Sequence, residues 1–156
     1  MRFTVLASFL AALAVLSVTA GPAQASVITT GDVDPGGAGT QPDPWAVGGT
    51  LTVGDSGSGT LNVESAGVVS NTDGYIGYAS GSTGIATVTG SGSQWNNSED
   101  LTVGTSGTGT LNVMDGGVVS NTYGYIGEES GSTGTATVTG LGSQWSNSLT
   151  MYVGYS

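Results

Sequence analysis

Eleven carboxylates are the side chains of this chain that could run acid–base or metal chemistry: Asp32, Asp34, Asp43, Asp55, Glu64, Asp73, Glu99, Asp100, Asp115, Glu128 and Glu129. There is no His and no Cys, and the single basic residue is Arg2. A Ser–His or Cys–His nucleophile is therefore excluded, as is a lyase with an Arg or Lys base. An all-carboxylate site is left, with two or three acids converging as general acid and base in the manner of glycoside hydrolysis. Calcium binding is the other chemistry open to carboxylates. Asp32-Val33-Asp34-Pro35-Gly36-Gly37 carries part of a D-x-D-x-x-G loop, but the third oxygen ligand and the distal Glu are missing. The glycine-rich runs lack the lysine and the helix of a phosphate loop and read as turn glycines.

The elements that would position these acids come from an internal repeat. Residues 51–63, LTVGDSGSGTLNV, return as LTVGTSGTGTLNV at 101–113, and a third copy starts at 151 as MYVGYS. Residues 51–100 align with 101–150 without a gap, with 37 identical positions. A fixed period of this size marks an array whose units bury their apolar faces against their neighbours. Each unit divides again into half-units of 23 and 27 residues, because Val53-Gly54 and Ile76-Gly77 hold like positions. Each half-unit has three short apolar pieces alternating with period two, a strand signal. Three short strands per half-unit fit one coil of a parallel β-helix. The expected fold is therefore all-β, a β-solenoid of about four coils, two per repeat. Its interior columns would be Val53, Ile76, Val103, Ile126, Val153; Leu61, Ala86, Leu111, Ala136; Val63, Val88, Val113, Val138; and Trp45, Val69, Trp95, Val119, Trp145. A β-sandwich of the same strands is the rival, and the unbroken phase disfavours it.

No acid of the first copy has an acid at its equivalent in the second. Asp55 maps to Thr105, Glu64 to Met114, Asp73 to Tyr123, Glu99 to Leu149 and Asp100 to Thr150. In the column Asp55, Tyr78, Thr105, Glu128 the acids never neighbour. The acids thus read as solubilising charges, and no catalytic, cofactor or metal residue is assigned. Trp95 and Trp145 could serve as exposed carbohydrate platforms, but their phase with Val69 and Val119 argues for the core or a flank groove, with the core favoured. Tyr75, Tyr125 and Tyr152 are expected at the surface, because Tyr152 matches Thr102.

Residues 1–25 read as a signal peptide: Arg2, then an apolar run from Val5 to Val18, then the small-x-small site Ala23-Gln24-Ala25. Cleavage there takes the formal charge from −10 to −11. A chain with no cation repels phosphate backbones, which argues against nucleic acid as a partner. No second apolar run is long enough to span a membrane. Residues 26–44 hold Pro35, Pro42 and Pro44, while 45–156 hold no proline. The first stretch is expected to cap the first rung of the repeats. The repeats break off at Met151-Tyr152-Val153-Gly154, which reads as a piece of a longer protein. An open parallel edge there would invite end-to-end or edge association.

TVGDSGSGTLNV, GYIGYASGSTGIATVTGSGSQW and the lead-in ITTGDV with PDPW resemble the repeat shared by type V secretion (autotransporter) passengers and PEP-CTERM proteins. The resemblance covers residues 45–156. It implies a right-handed parallel β-helical passenger, exported by a bacterium and displayed at or released from the cell surface. It carries no catalytic motif and no cofactor. Neither a C-terminal translocator barrel nor a Pro-Glu-Pro sorting segment is seen. The expected role is an adhesive or spacer segment rather than an enzyme, with a surface glycan or a host or cell surface as partner. The alternative is a fragment of a carbohydrate-active β-helix protein, either a polysaccharide hydrolase or a glycan-binding module.

Overall fold

The computed structural model describes residues 24–155. The signal segment, residues 1–25, lies outside the described residues apart from Gln24 and Ala25. The period-two pieces form strands, and strands of successive coils pair in parallel into three sheets. The long sheet stacks Ser58–Glu64, Thr83–Thr89, Thr108–Met114 and Thr133–Thr139. The tryptophan sheet stacks Trp45–Ala46, Val68–Asn71, Gln94–Asn97, Val118–Asn121 and Gln144–Asn147. The tyrosine sheet stacks Leu51–Val53, Gly74–Ile76, Leu101–Val103, Gly124–Ile126 and Met151–Val153. The chain is thus an all-β solenoid of about four turns, and the sandwich reading falls.

The expected columns are the observed register. Leu61 faces Ala86 and Val63 faces Val88. Trp95 lies between Val69 and Val119, and Val119 beside Trp145. Val53, Val63, Val88, Val103, Val113 and Leu111 are wholly buried. Burial fades at the last rungs, where Val138 is 46% and Val153 73% exposed. These residues keep the inward phase but have no following coil against them among the described residues.

The corner after the tryptophan sheet is held by polar groups. Trp95 Nε1 donates to Asn71 Oδ1 at 2.6 Å, and Asn71 Nδ2 donates to Asn97 Oδ1 at 2.6 Å. The same pair of bonds recurs one repeat later, from Trp145 to Asn121 and from Asn121 to Asn147, each at 2.6 Å. Asn97 passes the ladder on by donating to the Ser120 carbonyl at 3.3 Å. Buried amides and indoles need such partners. The indole occurs every second rung, and this helps make the sequence period two coils rather than one.

Residues 26–44 do cover the first rung, and they do so with more order than a lead-in would need. Ser26–Gly31 runs antiparallel on Ser58–Glu64, with Val27 opposite Val63. Val33–Asp34 runs antiparallel on Leu51–Val53. At this first rung a side-chain carboxylate takes the place that a backbone carbonyl holds on later coils. The amides of Gln94 and Gln144 bond the carbonyls of Gly67 and Gly117 on the previous coil, whereas Val68 N donates to Asp43 Oδ1 at 2.8 Å. Ser106 N and Gly107 N bond the carbonyls of Tyr78 and Gly77, whereas Ser56 N and Gly57 N donate to Asp32 Oδ2 at 2.8 and 2.6 Å. These two acids stay at the surface, as the sequence suggested, and also cap backbone amides.

Candidate functional site

The outer face of the tyrosine sheet gathers what chemistry the chain has. Its strands are three residues long, so each rung presents one central residue and one on either side. The central column is Thr52, Tyr75, Thr102, Tyr125, Tyr152. The residues just before the strands form a second column, because Leu51 N bonds Asp73 O, Gly74 N bonds Asp100 O and Leu101 N bonds Tyr123 O. A third column, Asp55, Tyr78, Thr105, Glu128, Tyr155, follows the corner, as Tyr78 N bonds Gly54 O and Glu128 N bonds Gly104 O. The six tyrosines of the chain all fall in these three columns.

The rings make two banks. Tyr125 and Tyr152 stack with centroids 5.1 Å apart and planes 13° apart, and Tyr155 sits 5.1 Å from Tyr152 and 5.9 Å from Tyr125. Tyr75 and Tyr78 meet edge to face at 5.1 Å. Between the banks lies a rung of threonines, Thr102 and Thr105, only 2% and 7% exposed. Tyr75, Tyr125 and Tyr152 were expected at the surface and are half-buried instead. Each ring covers its neighbours along the column, which is what stacked aromatic rungs do.

The acids are less scattered than the copy-to-copy comparison suggested. The alternation of Asp55, Tyr78, Thr105 and Glu128 holds, but Asp73 and Asp100 lie on adjacent rungs, with Asp100 N 3.2 Å from Asp73 Oδ1. They are 27 residues apart, a spacing that comparison at fifty does not test. Burial, then the Asp73 charge, push the Asp100 carboxyl above its ordinary range. Burial, then Glu129 and Asp100, do the same to Glu128, with a hydrogen bond to Thr102 acting the other way. The Tyr75 and Tyr125 phenols are raised by burial and by the nearby carboxylates. Among the described residues no three acids are grouped so as to hold a metal ion. Glu64 and Asp115 lie off this face, on or beside the long strands.

A carboxyl with a raised folded pKa binds protons more tightly folded than unfolded, so stability falls as pH rises through that pKa. Asp100→Asn with Glu128→Gln is therefore expected to raise the melting temperature by a few degrees at neutral pH. The gain should vanish as the pH falls below the ordinary carboxylate range. Asp32 runs the opposite way: its two backbone bonds lower its pKa, and its contribution is lost as pH falls. Thermal melts of parent and double variant across acid to neutral pH measure the difference. An equal gain at every pH would show that the two carboxylates do not strain this face.

Trp95 is wholly buried and hydrogen-bonded, so the tryptophans are core rather than a sugar platform. A depression of about 470 Å³ at the last rungs is lined by Ile126, Glu129, Ser132 and Val153 and by no tyrosine. Against protein-family models, curated proteins and solved structures alike, the chain finds no match. No helix among the described residues is long and apolar enough to cross a membrane.

Proposed function

We propose that the chain is an exported, non-enzymatic β-solenoid segment acting at or beyond a bacterial cell surface as an adhesive passenger or spacer, akin to type V secretion and PEP-CTERM repeat proteins. The observation that carries this reading is what recurs from coil to coil. The repeated residues are buried aliphatics, the Trp–Asn ladder and corner glycines, while the carboxylates change place between copies. The repeat thus preserves a rod, not a reactive group. The apolar leader of residues 1–25 supports export.

The test has two arms. The full chain fused to a reporter active only outside the cytoplasm should give activity, and Asp substitutions within Val5–Val18 should abolish it. Beads coated with the protein should then adhere to cells or to an extracellular matrix. An active reporter without adhesion would leave the spacer role alone, and an inactive reporter would sink the passenger reading.

A second reading, a carbohydrate-active β-helix, draws on the neighbouring Asp73 and Asp100 and on the Asp100 and Glu128 carboxyls, which are biased toward the protonated form a general acid needs. Release of reducing ends from a panel of polysaccharides, lost in Asp100→Asn, would establish it.

A further inference from the structure

The tyrosine-sheet face combines flat rings and crowded carboxylates with no cation beside them among the described residues. The described residues include no Lys, Arg or His. We infer that this face binds a linear glucosamine polymer carrying free amino groups, which names the partner of the adhesive reading and rests on it.

Charge complementarity selects a cation. Asp73 and Asp100 lie on successive rungs, and the charges of Asp100 and Glu128 act on both Tyr75 and Tyr125. Burial first, and then the neighbouring carboxylates, raise Asp100 and Glu128, and an ammonium set beside them would favour their charged forms. The rings select an organic cation over a hydrated metal. Ammonium groups are attracted to aromatic faces, and the described residues offer no three-acid cluster for a metal.

Spacing selects a sugar chain over a flexible peptide. Tyr75 and Tyr125 occupy alternate rungs of one column, about 9.6 Å apart at two strand spacings. A β-1,4-linked glycan repeats its ring orientation at close to that interval, so alternate sugars can lie against the two banks. The threonine rung lies between them, and the buried Thr105 hydroxyl has no hydrogen-bond partner among the described residues. Buried hydroxyls seldom stay unpaired, and this one lies between Tyr78 and Glu128 in its column.

The protein, purified as its host processes it, is titrated calorimetrically with a fully deacetylated glucosamine hexamer. The pH is set below the pKa of the sugar amines and above that of the carboxylates. Binding is expected, weakening with added salt. The N-acetylated hexamer, cellohexaose and hexalysine should each bind at least about tenfold more weakly, a 1.4 kcal/mol difference. Tyr125→Ala and Asp100→Asn should each weaken glucosamine binding by about tenfold or more. Glu64→Gln and Asp115→Asn, off this face, should leave it unchanged. Matching circular dichroism spectra keep the comparison to folded protein. No binding, equal binding of the neutral glycans or of hexalysine, or equal losses in the off-face variants would overturn the inference. These results are separable from the export reporter, whose failure would sink the passenger reading and leave the isotherms standing.

Discussion

Val113→Asp is expected to lower the melting temperature by about 10–20 °C or to abolish cooperative melting. Val113 is wholly buried, between Val88 on one rung and Val138 on the next. A carboxylate there would meet aliphatic side chains, and the described residues contain no cation to pair with it. An unpaired buried charge costs about 3–5 kcal/mol, set against a whole-domain stability of about 5–15 kcal/mol. The solenoid sharpens this loss, because each coil is stabilised by its two neighbours and a broken rung uncouples both sides. Asp115→Asn is the control. Asp115 is exposed at the turn after the same strand, with φ of 50°, a conformation Asn also tolerates. Its effect should stay within about 0.5 kcal/mol. Circular dichroism melts of the two variants check both values. Similar losses would mean that the inward and outward faces of Thr108–Met114 have been exchanged.

Val113 also shows why so much of the fold was legible in the sequence. Inward residues of a parallel solenoid face their own equivalents, so Val63, Val88, Val113 and Val138 must all be small aliphatics, and the period exposes them. The outer face obeys no such rule. Its central column runs Thr52, Tyr75, Thr102, Tyr125, Tyr152, and comparing copies fifty apart sets Thr52 on Thr102 and Tyr75 on Tyr125 without showing which rungs adjoin. Asp73 and Asp100 escaped for the same reason, since they neighbour across the longer half-unit. Their signal was in the 23- and 27-residue spacing applied to the polar residues as well as the apolar ones. Asp32 and Asp43 could not be read at all from a repeat. Each occurs once, in the segment that leads into the first rung, and its role depends on amides whose counterparts on later coils bond a carbonyl. The Asn71, Asn97, Asn121, Asn147 ladder was open to the same column logic, and only the habit of treating polar residues as surface concealed it.

The corner glycines give the other large effect. Gly77 has φ of +73°, and a Cβ placed there would sit 2.9 Å from Gly109 N and closer still to the Thr108 carbonyl on the next rung. Both atoms belong to backbone, so no side chain can swing aside. Gly81, four residues on in the same turn, has φ of +82° with nothing within 4 Å of the added carbon. Gly81→Ala should therefore cost only the left-handed backbone penalty, about 1–2 kcal/mol. Gly77→Ala carries that penalty together with forced separation of two hydrogen-bonded rungs, about 3–5 kcal/mol in all. The Gly77 N to Val53 O bond at 2.9 Å and the Gly104 N to Ile76 O bond at 2.7 Å flank the site and would be distorted with it. Chemical denaturation of the two alanine variants separates the terms, because their difference is the steric part alone. Equal midpoints would show that the coils can spread at this corner without loss, and the tight axial stack would then not be what holds the repeat in phase.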